Sequence, residues 1–179
     1  MKGLVIYKGK YGATKQYAMW IGQELQLTVA SADRFPVDEL PNYDYFILGS
    51  SVYIGKLEIK TWVKKNFSTL MNKKIFFFQV AASPPGQIEK RETYNKASLS
   101  PDLLKKIEFY YLPGRMIMRN LSGWDRFMLK MGARLTKDPL EKEAMLTDFD
   151  HVKKENILPL IDAIRAFKEM DEPEVEFAN

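Results

Sequence analysis

The 179-residue sequence predicts an α/β domain of three layers, a doubly wound five-stranded parallel sheet between two layers of helices. Three observations lead there. Five short apolar runs alternate with segments of helical periodicity. The third run is continuously apolar, as expected of a strand covered by helices on both faces, and the fourth is the most strand-like segment of the chain. The first run ends in a glycine-rich turn that opens directly into a helical pattern, the start of a crossover connection.

Lys2 to Tyr7 reads as the first strand, and the helix after its turn places Ala18, Ile21 and Leu25 on one face. Leu27 to Ala32 is the second strand, followed by a polar loop with Pro36 and Pro41. Tyr45 to Ser51 is the third, and a helix from about Glu58 to Thr69 sets Ile59, Trp62, Val63 and Phe67 at helical spacing. Lys74 to Ala82 is the fourth, stopped by Ser83-Pro84-Pro85-Gly86. A broken helix over Glu89 to Ala97 and Pro101 to Lys106 leads to the fifth, Ile107 to Leu112. The last helix is expected from Asp150 to Lys168, with Pro159 kinking or dividing it. Residues 1–170 thus form one domain with an insert at 114–138, and 171–179 an acidic, frayed tail.

Composition narrows the chemistry. With no cysteine in the chain, disulfides, thiolate metal sites and thiol nucleophiles are excluded, and redox chemistry would need a bound cofactor. A single histidine, His151, cannot build an imidazole-rich metal site, so no metal is expected. The opening apolar run, Leu4 to Tyr7, is too short for a signal-peptide core, and no stretch approaches the roughly 18 apolar residues of a membrane span. A cytoplasmic location is expected, with the inner membrane face as an option. The net charge of +4 lies wholly between Gly114 and Asp138, where six basic residues stand against two acidic ones. Lys64-Lys65 and Lys73-Lys74 read as solvated element ends, and no nucleic-acid surface is expected.

In doubly wound sheets a ligand sits beyond the carboxyl ends of the strands, where the winding reverses. Three loops lie there. In Lys8-Gly9-Lys10-Tyr11-Gly12-Ala13-Thr14, backbone amides and a helix dipole converge on a spot suited to an anion, helped by lysine charge and the Thr14 hydroxyl. The absence of G-x-x-x-x-G-K-[ST] and G-x-G-x-x-G patterns argues against a P-loop nucleotidase and a dinucleotide-binding domain. The second loop runs through Ser50, Ser51, Val52, Tyr53, Ile54 and Gly55, and suits a flat heteroaromatic ring covered by Tyr53 or Ile54. The third, with Ala82, Ser83, Pro84 and Gly86, is small and rigid enough to border the same ring.

Together these loops resemble the flavodoxin family, and the chain resembles most its menaquinone-dependent protoporphyrinogen IX dehydrogenase branch. The resemblance runs from Lys2 to Ala18, through Gly49 to Lys56 and Trp124-Asp125-Arg126-Phe127-Met128 with Lys130, to Glu141-Lys142-Glu143 and Thr147-Asp148-Phe149. It implies strand order 2-1-3-4-5 and FMN, with its phosphate in the first loop and its ring between the other two. It also implies electron flow from a reduced substrate, for this branch a porphyrinogen, through FMN to a quinone. Lys8 and Gly9 stand where the family tends to have hydroxyls, so phosphate binding would rest on lysine, amides and Thr14.

The insert is where the chain leaves ordinary flavodoxins. If helical, it carries Trp124, Met128, Met131 and Leu135 on one face and Arg126, Lys130 and Arg134 on another, entered through a flexible Pro113-Gly114. Arg115, Arg119, Trp124, Arg126, Lys130 and Arg134 are candidates for gripping substrate carboxylates or an anionic membrane surface; packing of the apolar face on the domain is the plain alternative. A soluble electron carrier and a flavin-free binding module remain as other functions, although carriers of this type are strongly acidic.

Overall fold

Alternate residues along a strand point to opposite faces of a sheet, and here both sets are apolar, so the chain builds two cores. The computed structural model describes residues 1–82 and 88–170. In it β1 (Gly3–Lys8) pairs in parallel with β2 (Thr28–Ser31) on one side and β3 (Tyr45–Tyr53) on the other. β3 folds back into the two-residue β4 (Lys56–Leu57) and pairs in parallel with β5 (Lys74–Ala81), which pairs with β6 (Ile107–Pro113). The order β2-β1-β3-β5-β6 is the expected 2-1-3-4-5 winding, with β4 a short antiparallel addition.

α1 (Ala13–Leu25) and α8 (Leu158–Met170) cover one face. There Tyr17, Ala18, Ile21, Leu160, Ile161 and Ile164 pack on Val5, Ile47, Phe76 and Phe78. α2 (Lys60–Lys65), α3 (Phe67–Met71), α4 (Ile88–Lys96) and α5 (Pro101–Lys106) complete the crossovers after β3 and β5. On that face Trp62, Val63, Leu70 and Leu103 meet Leu4, Ile6, Phe46, Leu48 and Phe77. α4 is also held by polar bonds: the buried Gln79 amide donates to the Arg91 carbonyl at 3.0 Å and to Asn95 Oδ1 at 2.8 Å.

After β6 the chain makes an excursion closed at its base by two short strands, β7 (Arg115–Met116) and β8 (Phe149–Asp150), paired antiparallel. Between them lie α6 (Gly123–Leu135) and α7 (Pro139–Leu146), which pack on each other. The Pro113-Gly114 junction, expected to be flexible, is held: the Gly114 amide donates to the Ala81 carbonyl at 2.9 Å, and its own carbonyl accepts from the His151 amide at 3.1 Å. A Cβ on Gly114 would stand 2.9 Å from the Ala81 carbonyl oxygen, so only glycine allows this approach.

Two helices differ from expectation. The Glu58 to Thr69 helix is divided at Asn66, whose side-chain amide donates to the Trp62 carbonyl at 2.9 Å. The last helix begins at Leu158, because Phe149–Asp150 is committed to β7 and Lys154–Ile157 forms a separate 3-10 turn. Pro159 therefore falls in the first turn of α8, where its missing N–H has no intrahelical partner to lose, and it neither kinks nor divides the helix. His151 is exposed and stacks on Phe149. The tail at 171–179 lies outside the described residues.

Tyr17 joins the body to the base of the excursion. Its buried hydroxyl donates to the Pro113 carbonyl and accepts from Asn156 Nδ2, both at 2.8 Å. Tyr17→Phe removes both bonds, leaving the Asn156 amide only its bond to the His151 carbonyl at 2.9 Å, and is expected to lower stability by about 1–3 kcal/mol in urea unfolding; an unchanged midpoint would show that neither bond matters.

Candidate functional site

β1 connects to α1 on one face of the sheet, and β3 to α2 on the other, so the loops after β1 and β3 part and leave a crevice at the carboxyl end of the sheet. A cavity of about 380 Å³ occupies that crevice. Lys10, Tyr11, Ala13 and Thr14 line it from the first loop, Ser51 to Ile54 from the second, and Ala82 from the third. Ser83, Pro84 and Gly86 lie outside the described residues.

The first loop is shaped for an anion. Gly12 caps α1 at φ 85°, a left-handed conformation that other residues adopt at a cost, and no side chain caps the helix in its place. The first turn of α1 carries no acidic residue, so no acid of the helix itself competes for its amides. A Cβ on Gly9 would come within 2.5 Å of Thr14 Oγ1 and 3.3 Å of Ser51 Oγ, and the bare glycine brings those two hydroxyls close to the same backbone. Lys8 is not part of the lining: it pairs with Asp33 at 2.6 Å.

In the second loop, Ser50 is fully buried and points inward, accepting from the Ile59 amide at 3.2 Å. Ser51 faces the cavity and donates to Glu58, which also lines it. Ile54 and Gly55 form the tip of the β3–β4 hairpin, both with positive φ, as a two-residue turn of matching twist requires. A β-branched residue at φ 47° is strained, and Ile54 is 65% exposed, so packing does not account for it.

The excursion forms the remaining wall, with Met116, Leu121, Asp125, Met128, Leu129, Gly132 and Met145. Asp125, 7% exposed in the first turn of α6, is its fastening. It accepts from Lys10 Nζ at 2.7 Å, from the Tyr53 hydroxyl at 2.6 Å and from the Tyr11 hydroxyl, while Ser122 caps α6 through the Asp125 amide at 3.1 Å. The Asp125 carboxylate raises the Lys10 ammonium above the usual lysine value, and that ammonium sits 4.3 Å over the Tyr53 ring. One carboxylate thus joins the first and second loops to the insert.

Among the six insert residues expected to contact substrate or membrane, Arg115 alone lines the cavity, held by Asp150 at 3.5 Å and by Gln16. Arg119, Trp124, Arg126, Lys130 and Arg134 are exposed and outside the lining. Glu58 and Asp125 were not among the expected site residues. The pairing of Ser122 with Asp125 three positions on, at the head of an apolar pattern, is a helix-start signal that marks where the acid sits.

Sheet order, crevice and anion-shaped first turn together define a flavodoxin-type domain. The chain belongs to the flavodoxin family: the family profile described as a flavodoxin domain matches residues 4–143. Among curated proteins it is 24% identical over 164 residues to the protoporphyrinogen IX dehydrogenase [quinone] of Escherichia coli, covering 85% of this chain and 91% of that one. A stretch of 85 residues is 32% identical to an uncharacterized protein of Methanocaldococcus jannaschii, 57% of whose length is covered. Among solved structures it is similar to flavodoxin 2 from Bacillus cereus, at 18% identity and a TM-score of 0.48, covering 81% of this chain and 92% of that one.

Replacing Asp125 with Ala removes the shared acceptor while leaving the sheet untouched. A charge-assisted hydrogen bond such as that from Tyr53 is worth about 1.5–3 kcal/mol. Amide hydrogen exchange in 115–146 is therefore expected to speed up by about tenfold or more, with strand amides unchanged. Unaltered exchange in the insert would mean that other contacts hold it.

Proposed function

We propose that the crevice binds FMN and that the protein is an FMN-dependent oxidoreductase, passing electrons from a reduced small-molecule substrate to a quinone. The observation that carries this reading is the union of an uncapped, acid-free helix start with an apolar cavity in the range of small-molecule sites, about 300–1,000 Å³. The residues present fit the cofactor. The amides at the start of α1, with Thr14 and Lys10, suit a phosphate. Glu58 and Asp125 have the phosphate's own sign, which confines it to the α1 end, and their oxygens suit the hydroxyls of a ribityl chain. Tyr53, Ile54, Val52 and Met128 offer apolar surface to a flat ring.

When bound, FMN supplies hydride and single-electron transfer that no side chain here can provide. The chain's own part is to fix the cofactor and exclude water with Leu121, Met128, Leu129 and Met145, beside two cations that are each paired with an acid, Lys10 with Asp125 and Arg115 with Asp150. A quinone acceptor and a porphyrinogen donor follow from the resemblance to the dehydrogenase branch and from the name of the Escherichia coli relative.

Titrating the purified protein into FMN should quench the flavin fluorescence at one equivalent. Riboflavin, lacking the phosphate, should bind more weakly by about tenfold or more, the loss of at least one charge-assisted bond. Ile54→Gly should weaken FMN binding without loss of stability, because it relieves a strained φ. Menadione should rapidly reoxidise the reduced, FMN-loaded protein. A protein that ignores FMN overturns the whole reading, and indifference of the reduced form to quinones overturns the acceptor.

A further inference from the structure

We propose that the outward face of α6 docks the protein on an anionic lipid surface. At about 100° per residue, Phe127, Met131, Trp124, Leu135 and Met128 fall within an arc of about 100°. All five are exposed, Trp124 at 62%, Phe127 at 52% and Leu135 at 77%. The inward side is a different arc, where Asp125 and Ala133 are buried and Leu129 is half-buried. An amphipathic helix that packs on its own domain turns its large apolar residues inward. α6 turns most of its large apolar residues outward, and anchors itself through the Asp125 carboxylate, Ala133 and the half-buried Leu129.

The charge on the helix selects the occupant. Arg126, Lys130 and Arg134 fill the arc beside the apolar one, all exposed; Arg119 stands exposed before the helix, and Lys137 and Asp138 stand exposed after it. The single acid of α6, Asp125, is turned away into the cavity wall. The outer surface of the helix thus carries apolar and cationic groups and no anion, the pattern that sinks into a headgroup layer beside negative lipids. Thirteen residues span about 20 Å, too short to cross a bilayer and suited to lying in its plane. Among the described residues no helix is long and apolar enough to cross a membrane, so attachment through α6 would be peripheral. Met128 belongs to both the exposed arc and the cavity lining, so docking would bring lipid against the cavity wall.

The docking needs no cofactor, and its test is separate from that of flavin binding. The full chain without added FMN is mixed with vesicles of phosphatidylcholine alone or of equimolar phosphatidylcholine and phosphatidylglycerol, and sedimented. Binding to the mixed vesicles is expected, weak in the neutral ones and falling with salt. Trp124 fluorescence should shift to the blue on binding, a change lost in Trp124→Phe, which should still sediment. Trp124→Gln with Phe127→Gln and Leu135→Gln should lower the affinity by about tenfold or more. Arg126→Gln with Lys130→Gln and Arg134→Gln should remove the preference for the anionic vesicles. No sedimentation of the unaltered protein, or equal binding by the apolar variant, overturns the proposal. So does a dimer in sedimentation velocity that the apolar variant abolishes without any vesicle binding, which would assign the face to a second copy of this chain.

Discussion

The rest of the structure depends on β1 being paired in parallel on both sides. A parallel neighbour can be reached only by a crossover, and the crossovers on either side of β1 lie on opposite faces of the sheet. α1, between β1 and β2, lies on one face and α2, which opens the crossover from β3 to β5, on the other, so the loops that lead into them diverge at the carboxyl edge. The crevice between them is a geometric consequence of strand order, not of any one side chain. The continuous apolar runs of β1, β3 and β5 make that order stable, since each strand feeds both cores at once.

What closes the crevice is electrostatic. The excursion at 115–150 begins and ends at one point, through the pairing of β7 with β8, so it can swing as a unit unless something fixes its far end. Asp125 does that, as a buried carboxylate on which three donors converge. By contrast, the exposed Lys8–Asp33 pair is screened and contributes little. The loops after β1 and β3 are thus coupled to the wall facing them.

Much of the fold was legible because strands covered on both faces leave a plain signature. All five parallel strands lie where their apolar runs predict them, within a residue or two at the ends. The first and second loops do meet at the crevice, through Lys10 to Thr14 and Ser51 to Ile54, but Lys8 turns to Asp33 and Ser50 turns inward, which their place after a strand does not reveal. The misreadings have a common origin in contacts that periodicity does not carry. The division at Asn66 is a side-chain bond to the Trp62 carbonyl, and the late start of α8 follows from Phe149 pairing with Met116, 33 positions earlier. Asp125 could be counted but not placed, because its partners are more than 70 positions away. The apolar face of α6 was visible as a pattern, but a wheel cannot say which way it turns.

The central claim is that an FMN phosphate rests on the amides at the start of α1. The most direct measurement is the backbone amide spectrum of isotopically labelled protein as FMN is added. The account predicts large shifts at Ala13, Thr14 and Lys15, with further shifts at Ser51 to Gly55 and little change at the amino ends of the strands. Shifts confined to another part of the surface, with Ala13 to Lys15 unmoved at saturating FMN, would contradict it.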